Sequence, residues 1–139
     1  MQMGKEAALS MSGRVRLLVA DDKNDAADTL ATILEMMGYA VRVAYGGLEA
    51  IAAADEFRPQ AAILDVGMPE LDGYQVAQEL RRQSWGSGML LIALTGWVHP
   101  DDRQRAMLAG FDHHFTKPVD CDALAAVLPR EAADVVRGG

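Results

Sequence analysis

Five polar side chains in this sequence stand where a short apolar run gives way to a loop. Asp21 and Asp22 follow Val15-Arg16-Leu17-Leu18-Val19-Ala20, and Asp65 closes Ala61-Ala62-Ile63-Leu64. Thr95 follows the run 89–94, and Lys117 follows the short run 113–116. Three carboxylates drawn together repel one another, and the remedies are a raised pKa or a bound divalent cation. Oxygen-only donors at a shallow rim suit Mg²⁺, which keeps several waters and fills its octahedron with phosphate oxygens. A hydroxyl and an ammonium on the same edge would give a phosphoryl group the hydrogen bonds and positive charge it needs in transfer. One carboxylate is then free to act as the nucleophile of an aspartyl-phosphate chemistry. Singly, each of these residues reads as a turn, a cap or a solvated loop group. Their meaning depends on whether the fold brings them together.

The elements between them say that it does. After Asp22, the residues Ala27, Leu30, Ile33, Leu34 and Met37 recur at helical spacing up to Gly38, a left-handed stop. The β-rich run 39–45 is broken by Gly46-Gly47, and Leu48, Ile51 and Ala52 give a second helix its apolar face before Arg58-Pro59. The run 61–65 reads as a strand buried on both faces. Gly67, Pro69, Asp72 and Gly73 mark the loop after it, with Asp72 capping a helix over 72–83 that buries Gly73, Val76, Ala77 and Leu80. A linker at Ser84-Trp85-Gly86-Ser87-Gly88 leads to the fourth strand. A loop with Trp97, His99 and Pro100 precedes a polar helix that stops at Gly110. The last helix starts at an Asp120 cap, buries Leu124, Val127 and Leu128, and meets Pro129, which removes an amide donor. Five strands alternating with five helices require a mostly parallel sheet covered on both faces, a doubly wound α/β fold. Pattern alone leaves the strand order open. It does place Asp21, Asp22, Asp65, Thr95 and Lys117 at the carboxyl ends of parallel strands, which share one edge.

Bulk properties bound the function. The 139 residues are 50% hydrophobic and 24% charged, enough for one domain with a real core. No apolar run reaches the roughly 18 residues that span a bilayer, so no membrane partner is expected. A net charge of -7 argues against nucleic acid, which needs clustered Lys and Arg. The single cysteine, Cys121, reads as a small apolar residue and fits a cytoplasmic location. Residues 1–13 carry no secretory signal and read as a flexible tail; 14–130 form the domain, and 131–139 are a tail or the end of the last helix. The eight methionines read as core filler.

Taken in order, Asp21-Asp22, Asp65-Val66-Gly67-Met68-Pro69 with Asp72-Gly73, Leu94-Thr95-Gly96 and Lys117-Pro118 resemble the receiver domain of bacterial two-component response regulators. The resemblance covers about residues 14–128. It implies a flavodoxin-like five-stranded sheet of order 2-1-3-4-5. It makes Asp65 the acceptor of a phosphoryl group from a histidine kinase or histidine phosphotransfer protein. Mg²⁺ would be held by Asp22, Asp65 and the backbone carbonyl of Gly67, with Asp21 acting through a water. Thr95 would swing toward the phosphoryl oxygens and Lys117 would pair with them, biasing a two-state domain. A cis Lys117-Pro118 bond is expected on the same grounds.

Family members carry Tyr or Phe three residues before the lysine, where its rotation reports activation; this chain has His114 there, with Phe115 beside it. Alternation sends His114 and Phe115 to opposite faces, so His114 is the candidate switch. Gly67 and Trp97 occupy the two positions that tune phosphoryl lifetime, with opposed expected effects. The expected role is thus a phosphoacceptor rather than an enzyme with a separate substrate. It would dock a downstream protein, or a second copy, through its fourth helix, fifth strand and fifth helix, with no effector segment after Asp120. The runs Leu94-Thr95-Gly96-Trp97 and 111–120 lean toward receivers of hybrid histidine kinases. A Mg²⁺-dependent aspartyl phosphatase is the enzymatic rival, but it would want a second Asp where Gly67 stands. A receiver-like scaffold that is never phosphorylated is the third class, at odds with the complete acidic set.

Overall fold

A computed structural model describes residues 13–96 and 101–130 of the chain. Its strands are β1 (Arg16–Ala20), β2 (Ala40–Ala44), β3 (Ala61–Asp65), β4 (Leu90–Thr95) and β5 (His113–Thr116). Its helices are α1 (Asn24–Met36), α2 (Gly47–Phe57), α3 (Gly73–Arg82), α4 (Asp102–Ala109) and α5 (Cys121–Val127), with a 3₁₀ turn at Ser84–Gly86. All pairings are parallel and the order is β2-β1-β3-β4-β5, as the resemblance implied. A parallel pair cannot be closed by a tight turn, so every connection crosses over through a helix.

Two cores follow from strand alternation. Leu18, Ala20, Leu64, Leu91 and Ala93 face α2, α3 and α4; Leu17, Val19, Ile63, Ile92 and Leu94 face α1 and α5. β3 is buried along its whole length, the reason it reads as a continuous apolar run rather than an alternating one. Asp72 accepts from the Gln75 amide at 2.9 Å while the Gln75 side-chain oxygen accepts from the Asp72 N–H, a reciprocal cap that ends the loop after β3 and starts α3. Asp120 caps α5 through the amides of Asp122 and Ala123, and Gly38 and Gly110 end their helices with φ of 105° and 107°.

Two expectations are corrected. The buried side of α2 is Gly47, Ala50, Ala53 and Ala54, whereas Leu48 is 66% exposed and Ala52 faces solvent. α2 lies so close to the loop after β3 that a Cβ on Gly47 would collide with the Leu71 carbonyl, and its fully buried positions are glycine and alanine. Methionines are not uniformly core filler: Met68 and Met89 are buried, but Met36, Met37 and Met107 are exposed.

Arg81, unremarked in the sequence, ties the far side together. Its guanidinium donates to the carbonyls of Gly86, Met89 and Gly110 at 3.0, 2.6 and 2.7 Å and pairs with the Asp112 carboxylate at 2.9 Å. The same Asp112 oxygen accepts from the Leu91 amide at 2.8 Å. The end of α3, the start of β4 and the start of β5 thus share one charge.

Candidate functional site

The carboxyl edge of the sheet collects the five polar residues. β1 ends in Asp21, whose amide is held by the Ala44 carbonyl at 3.1 Å and whose Oδ1 accepts from the Lys23 amide at 3.0 Å. β3 ends in Asp65, whose Oδ1 accepts from the Gly67 amide at 3.1 Å. Gly73 has a physical role here: a Cβ on it would sit 2.7 Å from the Asp65 carbonyl oxygen and 2.8 Å from Val66 Cα, so α3 begins directly against the end of β3. On the other side, the Lys117 amide donates to the Thr95 carbonyl at 2.7 Å, joining the ends of β4 and β5. The Lys117-Pro118 bond is cis, as expected.

Lys117 Nζ then reaches back across the edge, 2.8 Å from Asp21 Oδ2 and 3.3 Å from Asp65 Oδ1. Asp21, Asp65 and Thr95 are only 4%, 5% and 4% exposed. Thr95 has the alternation of Leu91 and Ala93 and so belongs to the α2–α4 side of the edge.

Burial raises the Asp65 pKa, helped by the Asp21 charge and opposed by the Gly67 N–H and by Lys117. Lys117 loses some basicity to burial, but its bonds to Asp21 and the charges of Asp65 and Asp21 outweigh that and its pKa rises. Two carboxylates, Asp21 and Asp65, therefore share one ammonium. Asp21, Asp22 and Asp65 each offer an oxygen within 4.8 Å of the others, a hard-donor set suited to a small divalent ion. One expected result follows from the sign of the Asp65 shift. A carboxyl whose folded pKa lies above the ordinary 3.8 stabilises the fold at low pH, and that contribution is lost as pH rises through the folded value. Asp65→Asn is thus expected to raise the thermal midpoint of metal-free protein at neutral pH, the gain shrinking to nothing below the ordinary carboxylate range. Melting curves from pH 4 to 8 check it.

His114 and Phe115 lie on opposite faces as expected. His114 pairs in register with Ala93 and lines a cavity of about 310 Å³ with Arg103, Ala106 and Phe111, while Phe115 packs toward α1 and α5. His114 Nε2 is buried without a hydrogen-bond partner. Trp97, His99, Pro100 and the two tails, apart from Gly13, lie outside the described residues.

A doubly wound parallel sheet with an acidic triad and a lysine at its carboxyl edge defines a class of phosphoryl-handling signalling domains. The family model for the response regulator receiver domain matches residues 17–129, and the chain belongs to that family. It is 37% identical over 112 residues to the response regulator MprA of Mycobacterium bovis, covering 81% of this chain and 48% of that one. The chain thus spans about half the length of that regulator. Among solved structures it is similar to the chemotaxis protein CheY4 of Vibrio cholerae, with a TM-score of 0.78 at 28% identity over 83% of this chain and 99% of the other. It is likewise similar to the receiver domain of the sensor histidine kinase PA1611 of Pseudomonas aeruginosa, with a TM-score of 0.75 at 28% identity over 82% and 93%. A magnesium ion is coordinated in the active-site cleft of that kinase receiver. The protein is accordingly a receiver domain of two-component signalling, a phosphoacceptor module of the kind found in response regulators and histidine kinases. Among the described residues no helix is long and apolar enough to cross a membrane.

Proposed function

We propose that Asp65 is the phosphoacceptor, that Asp21, Asp22, Asp65 and the Gly67 carbonyl hold Mg²⁺, and that Thr95 and Lys117 take the phosphoryl oxygens. The observation that carries this is Lys117 Nζ lying 2.8 Å from Asp21 and 3.3 Å from Asp65, from strands far apart in the chain. The ion, when bound, neutralises the acidic set and offers coordination to phosphoryl oxygens. Asp65 is held by the Gly67 N–H on one oxygen, which leaves the other to attack phosphorus. Lys117 sits where a phosphoryl oxygen on Asp65 would arrive, and the Thr95 carbonyl fixes the start of the loop carrying it. Thr95 then moves toward the phosphoryl group, and His114, two residues along the same face, moves into the space it leaves.

The donor is a phosphohistidine of a kinase or phosphotransfer protein in the cytoplasm, and the reader is a protein, or a second copy, docked on α4, β5 and α5. Gly67 leaves room for an attacking water beside Asp65, and Trp97 is the second lifetime-setting position. Incubation with Mg²⁺ and a small phosphodonor is expected to add one phosphoryl group by mass, with none added to Asp65→Asn. In the same sample the His114 ring resonances should shift on phosphorylation. An unlabelled wild type sinks the acceptor role, and an unmoved His114 signal sinks the switch.

A further inference from the structure

A surface apart from the α4, β5 and α5 face lies between α2 and α3, where a cavity of about 550 Å³ runs along the two helices. Both helices begin at the carboxyl edge of the sheet, and at that end the lining is apolar: Leu48 and Ile51 of α2, and Leu71 of the loop after β3. Leu48 is 66% exposed, whereas Ile51 and Leu71 are half-buried against the core beneath. At the far end stand Glu79 and Arg82 from the last turns of α3, the only charged residues of the lining. Their charges cancel, in a chain of net charge -7. Each therefore belongs to a face that is locally neutral, with a projecting leucine beside a hollow and a carboxylate beside a guanidinium.

We infer that the α2 and α3 face pairs two copies of this chain, through Leu48 and through reciprocal contacts between Glu79 and Arg82. Two-fold pairing lays a surface on itself, so that surface must hold both halves of every contact. This one does, and an unlike partner would require only one half of each. With the two-fold axis running along the helices, equal heights meet. Leu48 of each copy then enters the apolar end of the other groove, and Arg82, whose side chain is 73% exposed, reaches from its own Glu79 to that of the second copy. The leucines supply the affinity, since exposed ion pairs contribute little, and the charges set the register. The net charge of the chain opposes self-association only weakly at physiological salt, where screening acts within about 8 Å.

The test is sedimentation equilibrium of the full chain over a range of protein concentrations. Wild type should be half dimer between about 10 and 100 μM, the range of a small, transient interface. Far below that range the pair is dissociated, and the folding stability of the single chain is unaffected. Leu48→Asp should stay monomeric throughout. A carboxylate in the first turn of α2 favours the helix, so lost pairing in that variant does not report lost folding. Glu79→Arg and Arg82→Glu should each weaken self-pairing about tenfold, because each sets like charges across the axis. An equimolar mixture of the two should pair as heterodimers with the strength of wild type. A monomeric wild type overturns the inference, as does a dimer that Leu48→Asp leaves intact, or a mixture of the two reversals that pairs no better than either alone. All of these outcomes leave the acceptor role of Asp65 standing.

Discussion

Arg81→Met is expected to destabilise the domain by about 3–5 kcal/mol, the cost of leaving one partner of a largely buried ion pair without the other. Arg81 and Asp112 have side chains only 20% and 16% exposed, and Asp112 would lose the guanidinium that sits 2.9 Å from its carboxylate. The carbonyls of Gly86, Met89 and Gly110 would lose their shared donor as well. Methionine keeps most of the aliphatic stem, so the loss isolates the guanidinium rather than its packing. The neighbouring Arg82 is the internal control. Its side chain is 73% exposed and pairs with Glu79 one helical turn away, so Arg82→Met should change stability by no more than about 0.5 kcal/mol. Urea unfolding of the two variants measures the contrast. Similar midpoints for both would mean that the Arg81 network is replaced by water at no cost.

Arg81 also shows where sequence reasoning ran out. The five residues of the edge were legible because each sits at a strand end, and parallel strands can end only on one side. The periodic faces of α1 and α3 were legible because Leu30 and Leu34, and Val76, Ala77 and Leu80, repeat at the helical period and bury. Arg81 gave no such signal. An arginine in the last turn of a helix is ordinary, and its four carbonyl partners, Gly86, Ser87, Met89 and Gly110, come from backbone that carries no side-chain code. The face of α2 failed for a related reason. Hydrophobicity favoured Leu48, but the close approach of Gly47 to Leu71 turns Gly47, Ala50, Ala53 and Ala54 inward and leaves Leu48 outside. Strand order and the cis bond before Pro118 came from resemblance alone, since neither periodicity nor composition encodes them.

Lys117→Met is expected to separate the two duties of the lysine at the edge. In the resting protein its ammonium holds Asp21 and Asp65, which are almost fully buried and repel one another. Because the folded pKa of Lys117 is raised, its contribution to stability is fully present below the ordinary lysine value and is lost only as pH climbs through the folded one. At neutral pH the variant therefore forfeits all of it, and metal-free Lys117→Met should melt at lower temperature than wild type. Mg²⁺ should reverse the order of dependence. With no ammonium competing for the same carboxylates, the variant should gain more from added Mg²⁺ than wild type does, since a ligand that binds only the folded state stabilises it by mass action. Labelling should behave differently from stability. The phosphoryl oxygens lose a preorganised cation, so the rate at saturating Mg²⁺ should fall about a hundredfold or more even where the melting point has recovered. A variant that regains its melting point with Mg²⁺ and labels as fast as wild type would leave Lys117 with a structural duty only. Recovered stability with lost labelling is the result that the geometry of Nζ between Asp21 and Asp65 requires.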